Sequence, residues 1–315
     1  MVHRTRSGHI APDLRSRSLR KVWRNWELYL MFLPVLAYFI IYHYVPMYGV
    51  QIAFKKFSGV KGIWGSPWRG LYNFQRFFNS DLSGQVVSNT ISISLYSLAV
   101  GFPAPILLAL MMNELRSSRF KRVVQTVTYA PHFISTVVMC SMIVLFLSPS
   151  SGVINKLIQL AGGQPIYFMG VPEYFKTVYV VTGVWQSIGW GSIIYMAALA
   201  GIDPQLHEAA IVDGSNRIQR IWHVNLPGIL PTAIILLILN CGSIMNVGFE
   251  KIFLLKNDLN RSSAEVISTL VYQRGLIDRD YSSASAIGLF NSVINLVLLV
   301  TVNQIARRTS ETSLW

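Results

Sequence analysis

Six apolar stretches restrict what this chain of 315 residues can fold into. None of the six contains Asp, Glu, Lys or Arg, and each reaches the ~20 residues that a helix needs to cross ~30 Å of hydrocarbon. Charged residues make up only 13% of the chain. That leaves too little polar sequence to cover six buried helices of a soluble protein, and the chain is predicted to be an all-α, polytopic membrane protein with six transmembrane helices within residues 27–306. The stretches are Leu28–Tyr48, Val86–Asn113, Val123–Ser148, Thr177–Ala200, Ile229–Phe249 and Ser282–Ile305.

Basic residues predict the orientation of these helices. Seven of the first 24 residues are Arg or Lys, and the loop between the second and third stretches carries four more. Because loops rich in Lys and Arg stay on the cytoplasmic side, both termini are expected there, as a basic tail over residues 1–26 and a short tail over residues 307–315. The first loop on the other side is also basic, which either favours an acidic ligand or partner or is incidental. Its basic residues are Lys55, Lys56, Lys61, Arg69 and Arg76.

The chain lacks the motifs of common membrane and enzyme chemistries. All 14 acidic residues lie outside the six stretches or at their edges, so no intramembrane carboxylate is available for a proton relay. Neither a GxxxxGK(S/T) phosphate loop nor HExxH, CxxC or GxSxG occurs. Cys140 and Cys241 both lie within apolar stretches and form neither a disulfide framework nor a metal site. We expect no catalytic residue and no metal; an ion-coupled secondary transporter subunit and, less favoured, an integral membrane enzyme are the alternatives.

A polar segment at residues 203–227, which we call the connector, separates the fourth and fifth stretches. Asp203 followed by Pro204 is typical of the start of a helix, with an N-cap side chain and proline at the first helical position. Asp213 followed by Gly214 is typical of the end of a helix, because glycine adopts the left-handed conformation at little cost. The first half of the connector is therefore predicted to be a short helix outside the bilayer.

The second half of the connector is predicted to be another short helix. Either Ser215 or Asn216 can cap it, and it runs toward Pro227, where the next apolar stretch begins. A lone carboxylate, Glu208, lies among small residues on the first helix. Small residues let another protein approach closely, and a carboxylate can anchor it, so this helix–turn–helix suits docking better than catalysis.

The connector also carries a sequence motif. Glu208-Ala209-Ala210 is followed after three residues by Gly214 and, after nine more, by Val224-Asn225-Leu226-Pro227. This pattern resembles the EAA motif of permease subunits in binding-protein-dependent ABC importers, with Val224 at a position where the family has Ile. Other stretches are similar to the polysaccharide and complex-carbohydrate branch of that family, and to its alginate importers in particular: residues 44–55, 62–68, 102–105, 113–116 and 131–135.

This resemblance implies a type I, maltose-permease-like fold in the bacterial cytoplasmic (inner) membrane. It also implies a heterodimer with a second permease, two ATPase subunits that bind ATP and Mg, and a periplasmic solute-binding protein that delivers an oligosaccharide such as alginate. The chain itself would hold no cofactor and bind no nucleic acid, only membrane lipid and these partners. In the family the EAA segment docks in a cleft of the ATPase, which assigns that role to Glu208, Ala209, Ala210, Asp213, Gly214, Leu226 and Pro227.

Polar side chains within the later stretches are candidates for a solute pathway. Amides hydrogen-bond sugar hydroxyls and aromatic rings cover the apolar faces of pyranoses, and maltose permeases place sugar contacts in the corresponding regions. The alternative is that Asn and Ser act as hydrogen-bonding contacts between helices, as for Asn291 and Asn295, which share a helix face. The pathway candidates are Gln186, Trp190, Tyr195, Asn240, Ser243 and Asn246.

Overall fold

The fold is helical throughout the part of the chain that the structure, a computed structural model, describes: residues 24–309 and 313–314. Within these residues the only β-structure is a single bridge between Lys55 and Trp68. The prediction of an all-α protein is confirmed. Most of the predicted N-terminal tail, residues 1–23, lies outside the described residues, as do residues 310–312 and 315 of the predicted C-terminal tail.

The main helices are numbered α1 to α13 in chain order. The first seven are α1 (Trp26–Phe54), α2 (Tyr72–Phe78), α3 (Asp81–Asn113), α4 (Ser118–Tyr129), α5 (Thr136–Phe146), α6 (Val153–Leu160) and α7 (Pro172–Ala200). The next six are α8 (Pro204–Val212), α9 (Arg217–Gly242), α10 (Phe249–Leu255), α11 (Arg261–Ala264), α12 (Ile267–Tyr272) and α13 (Tyr281–Thr309). Short π- or 3-10-helical segments are Ile40–Tyr44, Tyr48–Phe54, Ala130–Phe133, Ile221–Asn225 and Gln273–Ile277, and Gly62–Gly65 is one further helical turn.

All six predicted spans coincide with helices. In the described part of the chain, α1, α3, α9 and α13 are long and apolar enough to cross a membrane, and α4 with α5 is a fifth candidate if that bent pair is one span. The predicted fourth span falls on α7, a single helix of 29 residues. Its glycines, serines and aromatic residues make it less apolar than the other four. The polytopic architecture of the prediction is confirmed.

The third predicted span, Val123–Ser148, differs from a straight helix. The chain bends by 103° between Ser118–Phe133 and α5. Pro131 lacks a backbone N–H and ends the regular hydrogen bonding of α4, and Ile134 is extended. A new helix then begins where the Ser135 hydroxyl accepts a hydrogen bond from the Val138 N–H, so the expectation of one continuous span is wrong.

The second span stays helical through its prolines, whereas the fifth departs from expectation. The backbone at Phe102, which precedes Pro103 and Pro105, is helical, and its N–H bonds the Leu98 carbonyl. The fifth span starts earlier than the predicted Ile229, because α9 already begins at Arg217. The second half of the connector is therefore the first part of a membrane helix and not a separate short helix.

α7 lies at the centre of the bundle and packs against both halves of α3, against α4 and against α9. Gly189 permits its close approach to α4, because a Cβ there would overlap the Thr128 carbonyl. α1, unlike α7, lies at the outside of the bundle, since no residue of Trp26–Phe39 is buried. Only the last turns of α1, Tyr48–Phe54, pack against α13.

Candidate functional site

The first helix of the connector is stopped at both ends by local hydrogen bonds. The Asp203 carboxylate accepts from the Gln205 N–H at 2.9 Å, which confirms the predicted N-cap. At the other end Gly214 has φ +76°, and the Ser215 N–H donates to the Ala210 carbonyl at 2.9 Å. This is the six-to-one bond of a glycine-terminated helix, so the predicted stop is confirmed as well.

The second half of the connector begins with a reciprocal cap. The Gln219 N–H donates to the Asn216 side chain at 2.9 Å, and the Asn216 N–H donates to the Gln219 side chain at 2.8 Å. Of the two predicted capping residues, Asn216 is therefore the cap. The Arg220 guanidinium donates to the Ser215 carbonyl at 2.9 Å and fixes the turn between the helices.

The outer face of α8 is exposed, apolar and marked by one carboxylate. Glu208, Ile211 and Val212 lie at spacings of three and four residues and share this face. All three are exposed, Val212 to 86%. Nearby, Leu206 and Ile218 are exposed too. A cluster of exposed aliphatic side chains around a carboxylate is typical of a protein-binding surface.

The other predicted docking residues differ in their exposure and in their position relative to this face. Ala209, Asp213 and Gly214 are exposed, and Ala210 is half-buried. Leu226 and Pro227 lie within α9 and not at its start. The π-helical turn Ile221–Asn225 immediately precedes Pro227, which cannot donate an intrahelical hydrogen bond.

A cavity of about 450 Å³ opens between α3, α7 and the end of α9. Its lining includes four of the six predicted pathway residues: Tyr195, Asn240, Ser243 and Asn246. Further lining side chains are Ser94 and Ser97 of α3, and Tyr179 and Ser187 of α7. No charged side chain is among the lining residues. Uncharged hydroxyl, amide and aromatic groups suit a polyhydroxylated solute.

Gln186 and Trp190 do not line this cavity. The Gln186 amide donates to the Ile134 carbonyl at 3.1 Å, and the Trp190 ring stacks on His132 with centroids 4.6 Å apart. Both side chains therefore hold the bend between α4 and α5 against α7. Their polar and aromatic character made them pathway candidates, and the bend that they support was not expected.

Asn246 contributes to the contact between α9 and α13 as well as to the cavity. Its carbonyl oxygen accepts hydrogen bonds from the amides of Asn291 at 2.9 Å and Asn295 at 3.1 Å. The Asn295 carbonyl in turn accepts from the Met245 N–H at 3.0 Å. Asn246 thus combines a position in the cavity lining with a hydrogen-bonding contact between helices. By contrast, the Asn240 amide bonds only the Leu236 carbonyl of its own helix.

Several lining residues were not anticipated, although the sequence contained a signal for them. Ser187, Gly191 and Tyr195 recur every four residues, and Ser94 and Ser97 are three apart, so each set marks one small or polar stripe on a helix. The glycine allows α3 to come close, since a Cβ at Gly191 would lie 3.1 Å from the Pro105 ring.

Two lysine amines lie at the end of α7 that is farther from the connector, and neither lysine is among the lining residues of the cavity. The Lys251 amine on α10 donates to the Tyr179 carbonyl at 2.8 Å and lies 4.7 Å from the centroid of the Tyr179 ring. The Lys176 amine on α7 donates to the Ser92 hydroxyl of α3 at 2.7 Å. Both residues fall just outside the predicted spans, so the sequence placed them in loops.

The basic first loop is less open than expected. Lys55 is buried, with its amine on the Ile63 carbonyl at 2.8 Å and 4.9 Å from the Trp68 ring. Arg76 pairs with Asp280 at 2.8 Å. The remaining basic side chains of that loop, Lys56, Lys61 and Arg69, are exposed.

A buried carboxylate ties together the chain between α10 and α12. Glu265 accepts hydrogen bonds from Thr269 at 2.7 Å, Lys256 at 3.1 Å and Arg261 at 3.1 Å. Burial alone would raise the pKa of Glu265, but the bonds from Thr269, Lys256 and Arg261 outweigh it and hold the pKa below the ordinary value of 4.5.

A helical bundle with a polar cavity and an exposed, capped connector defines an integral membrane subunit of a solute transporter. Residues 101–311 match the family model described as the binding-protein-dependent transport system inner membrane component, and the chain belongs to this family. The match covers the connector, all of α7 and α9, and the second half of α3.

Proteins similar to this chain are known over almost its full length. LplB of Bacillus subtilis is 42% identical over 93% of this chain and 92% of its own length. The polygalacturonan/rhamnogalacturonan transport system permease protein YteP of the same organism is 40% identical over 96% of this chain and 94% of its own. Among solved structures, a bacterial ABC transporter involved in the import of the acidic polysaccharide alginate contains a chain that is 41% identical, with a TM-score of 0.87 over 93% of this chain and 99% of that one.

Proposed function

We propose that this protein is the permease subunit of an ATP-driven importer for acidic oligosaccharides, alginate foremost, and that it forms half of the pore with a second, similar permease. The similar proteins support the substrate class, because alginate and polygalacturonan are both polymers of uronic acids. The alginate transporter has also been solved in complex with an alginate pentasaccharide-bound periplasmic protein. A periplasmic binding protein would deliver the substrate here in the same way.

The observation that carries the proposal is the exposed face of α8. A helix capped at both ends is a rigid body, and its aliphatic face with Glu208 lacks a cover within the described residues. Two ATPase subunits would dock from the cytoplasm, the side on which both termini also lie. They would bind ATP and Mg, and the permease itself would break no bond.

The coupling would work as a rigid-body movement. ATP binding closes the ATPases, and α8 would follow its cleft in the ATPase. Because α9 is one continuous helix from Arg217 to Gly242, displacement of the connector would be transmitted along α9 to Asn240 and to the Ser243–Asn246 turn that follows. The cavity would thereby open alternately to either side.

Charge reversal at Glu208 tests this assignment. In proteoliposomes that contain both permeases, the ATPases and loaded binding protein, Glu208→Lys should lower both substrate uptake and the stimulated ATPase activity at least tenfold, a loss of about 1.4 kcal/mol or more in coupling. Asp258→Lys is the matched control, because Asp258 is an exposed carboxylate between α10 and α11. Intact uptake and stimulation in the Glu208 variant would show that the connector does not couple the ATPase to transport.

A further inference from the structure

Lys251 is a buried cation without a counter-ion. The residue is only 8% exposed, and none of the ion pairs among the described residues includes it. The neighbouring Glu250 is exposed and forms no ion pair either. Removing a charge from water is costly unless an opposite charge or a set of hydrogen bonds compensates it. A single bond to the Tyr179 carbonyl leaves much of the charge of this amine uncompensated.

The Lys251 amine lies against a part of α7 that leads into the cavity. It is 3.2 Å from the position that a Cβ would take at Gly183. Gly183 follows Tyr179 and precedes Ser187 by four residues each, so the three positions share one face of the helix. Tyr179 and Ser187 both line the cavity, and no side chain at position 183 lies between the amine and this face.

Lys176 brings a second amine to the same two turns of α7. It precedes Gly183 by seven residues and Ser187 by eleven, which puts it on the same helical stripe. Its amine bonds the Ser92 hydroxyl on α3, whereas Lys251 approaches from α10. Glu173, three residues earlier on α7, forms no ion pair with Lys176. The two amines therefore lie at neighbouring turns of α7, one in contact with α3 and the other extending from α10.

The lining of the cavity itself contains no charged group, so a cation just behind the lining, such as the Lys251 amine behind Tyr179, adds a positive contribution to its electrostatic potential. In the low dielectric of a protein interior, a unit charge acts over several ångströms with little screening. A positive potential attracts an anionic sugar and has little effect on the binding of a neutral one. A methionine at position 251 would fill the same space without the cost of desolvation.

We propose that Lys251 and Lys176 are specificity-determining residues that select oligosaccharides bearing carboxylates over neutral ones at the outer end of the cavity. This inference rests on the proposed function and identifies the residues that distinguish a charged solute from a neutral one. Lys176 acts from the first turns of α7, outside the cavity lining. Lys251 acts through space from behind Tyr179.

Binding to the permease–ATPase complex in lipid nanodiscs, without binding protein, tests the inference. The probes are a uronate tetrasaccharide and the same tetrasaccharide with its carboxylates reduced to alcohols, and calorimetry gives the Kd of each. Lys176→Met and Lys251→Met should each weaken uronate binding roughly fivefold to tenfold and leave the reduced sugar within about twofold. Lys176→Arg and Lys251→Arg should retain the preference.

Two controls separate charge selection from damage to the fold. Lys156→Met removes an exposed amine on α6, away from the cavity, and should change neither Kd. Co-purification of the complex reports on assembly of each variant. If Lys251→Met weakens both sugars equally, or neither, the lysines do not select charge.

The wild-type complex distinguishes this inference from the proposed function. If it binds the reduced sugar as tightly as the uronate, charge selection is wrong while sugar import stands. If the complete system with its binding protein takes up neither sugar, the proposed function is wrong and the inference is lost with it.

Discussion

The connector and the opposite end of the bundle are held together in different ways. From Asp203 to Arg220 the hydrogen bonds of the connector join residues at most five positions apart, as between Asn216 and Gln219 or between Ser215 and Ala210. A bond to a distant residue, from the Asn225 amide to the Glu114 carboxylate at 3.5 Å, occurs only near its end. At the opposite end the bonds join distant parts of the chain. The Asn89 amide reaches the carbonyls of Ser262 and Glu265, and the Asn260 amide reaches the Met169 carbonyl.

This difference separates two mechanical roles. A helix whose ends are fixed by local bonds keeps its shape when it moves, which suits the proposed role of following an ATPase subunit. At the opposite end, hydrogen bonds between distant segments resist movement. Such an end suits a rigid frame around the outer part of the cavity. The cavity lies between these two regions, and its polar residues form hydrogen bonds of both kinds. The bond of Asn240 is local, to its own helix, whereas the bond of Asn246 joins it to Asn291.

The largest effect on stability is expected at the opposite end. Glu265→Ala removes the acceptor shared by Lys256, Arg261 and Thr269 and should destabilise the protein by roughly 3 kcal/mol, as for a broken buried ion pair. Asp278→Ala is the control and should cost under about 1 kcal/mol, because its contact with Arg274 is long, at 3.6 Å, and partly exposed. Thermal unfolding of the detergent-solubilised complex measures both; equal losses would show that the buried Glu265 cluster does not stabilise this end of the bundle.

The same carboxylate predicts a dependence on pH. The pKa of Glu265 is lower in the folded protein than its ordinary value of 4.5, so its contribution to stability is present in full above that value and is lost as the pH falls through the folded pKa. The difference in Tm between the wild type and Glu265→Ala should therefore be constant from pH 8 to about pH 5.5 and shrink in more acidic buffer. A difference that grows on acidification would contradict this.

A smaller effect on stability but a specific effect on function is expected at Gly214. Gly214→Val places a β-branched side chain at φ +76°, at a cost of about 1–2 kcal/mol, which frays the stop of α8 and should lower uptake about fivefold to tenfold. Gly162→Val carries the same strain at φ +84° in the loop between α6 and α7 and should leave uptake unchanged. Comparable uptake by the two variants would mean that the shape of the connector does not matter.

The smallest effects are expected within the cavity. Asn240→Ala removes an amide that holds no second helix and should lower uptake about threefold with an unchanged Tm, since one hydrogen bond to the solute contributes about 0.5–1 kcal/mol. Asn246→Ala should also lower the Tm, because it breaks the bonds to Asn291 and Asn295. A lower Tm in both variants, with normal uptake, would show that these asparagines stabilise the fold and do not contact the solute.

The part of the molecule fixed by local bonds is the part that the sequence could predict. Asp203, Gly214 and Asn216 act within one or two turns of themselves, and their roles follow from residue type and spacing. Composition and hydropathy likewise suffice to place helices at all six apolar stretches, because the bilayer acts on each span separately.

The features that escaped prediction depend on contacts between distant segments. The bend at Pro131 is stabilised by Gln186, more than 50 positions away, and nothing local distinguishes that glutamine from one that faces a solute. The burial of Lys251 depends on α7 and α5, which contribute the Tyr179 carbonyl and the nearby Cys140. The start of the fifth span was missed for the opposite reason, because polar residues Arg217–Arg220 concealed the continuity of α9.

The central claim, that α8 is the contact with an ATPase subunit, can be tested by a site-specific cross-link. Val212→Cys places a thiol on the exposed face of α8, and Val60→Cys, at a residue that is 98% exposed in the first loop, is the control. The native Cys140 and Cys241 are buried, so a bifunctional maleimide should react mainly at the new thiol. The account predicts a cross-link from Val212→Cys to the ATPase subunit and none from Val60→Cys; a Val212→Cys complex that couples ATP hydrolysis to uptake without forming this cross-link would contradict it.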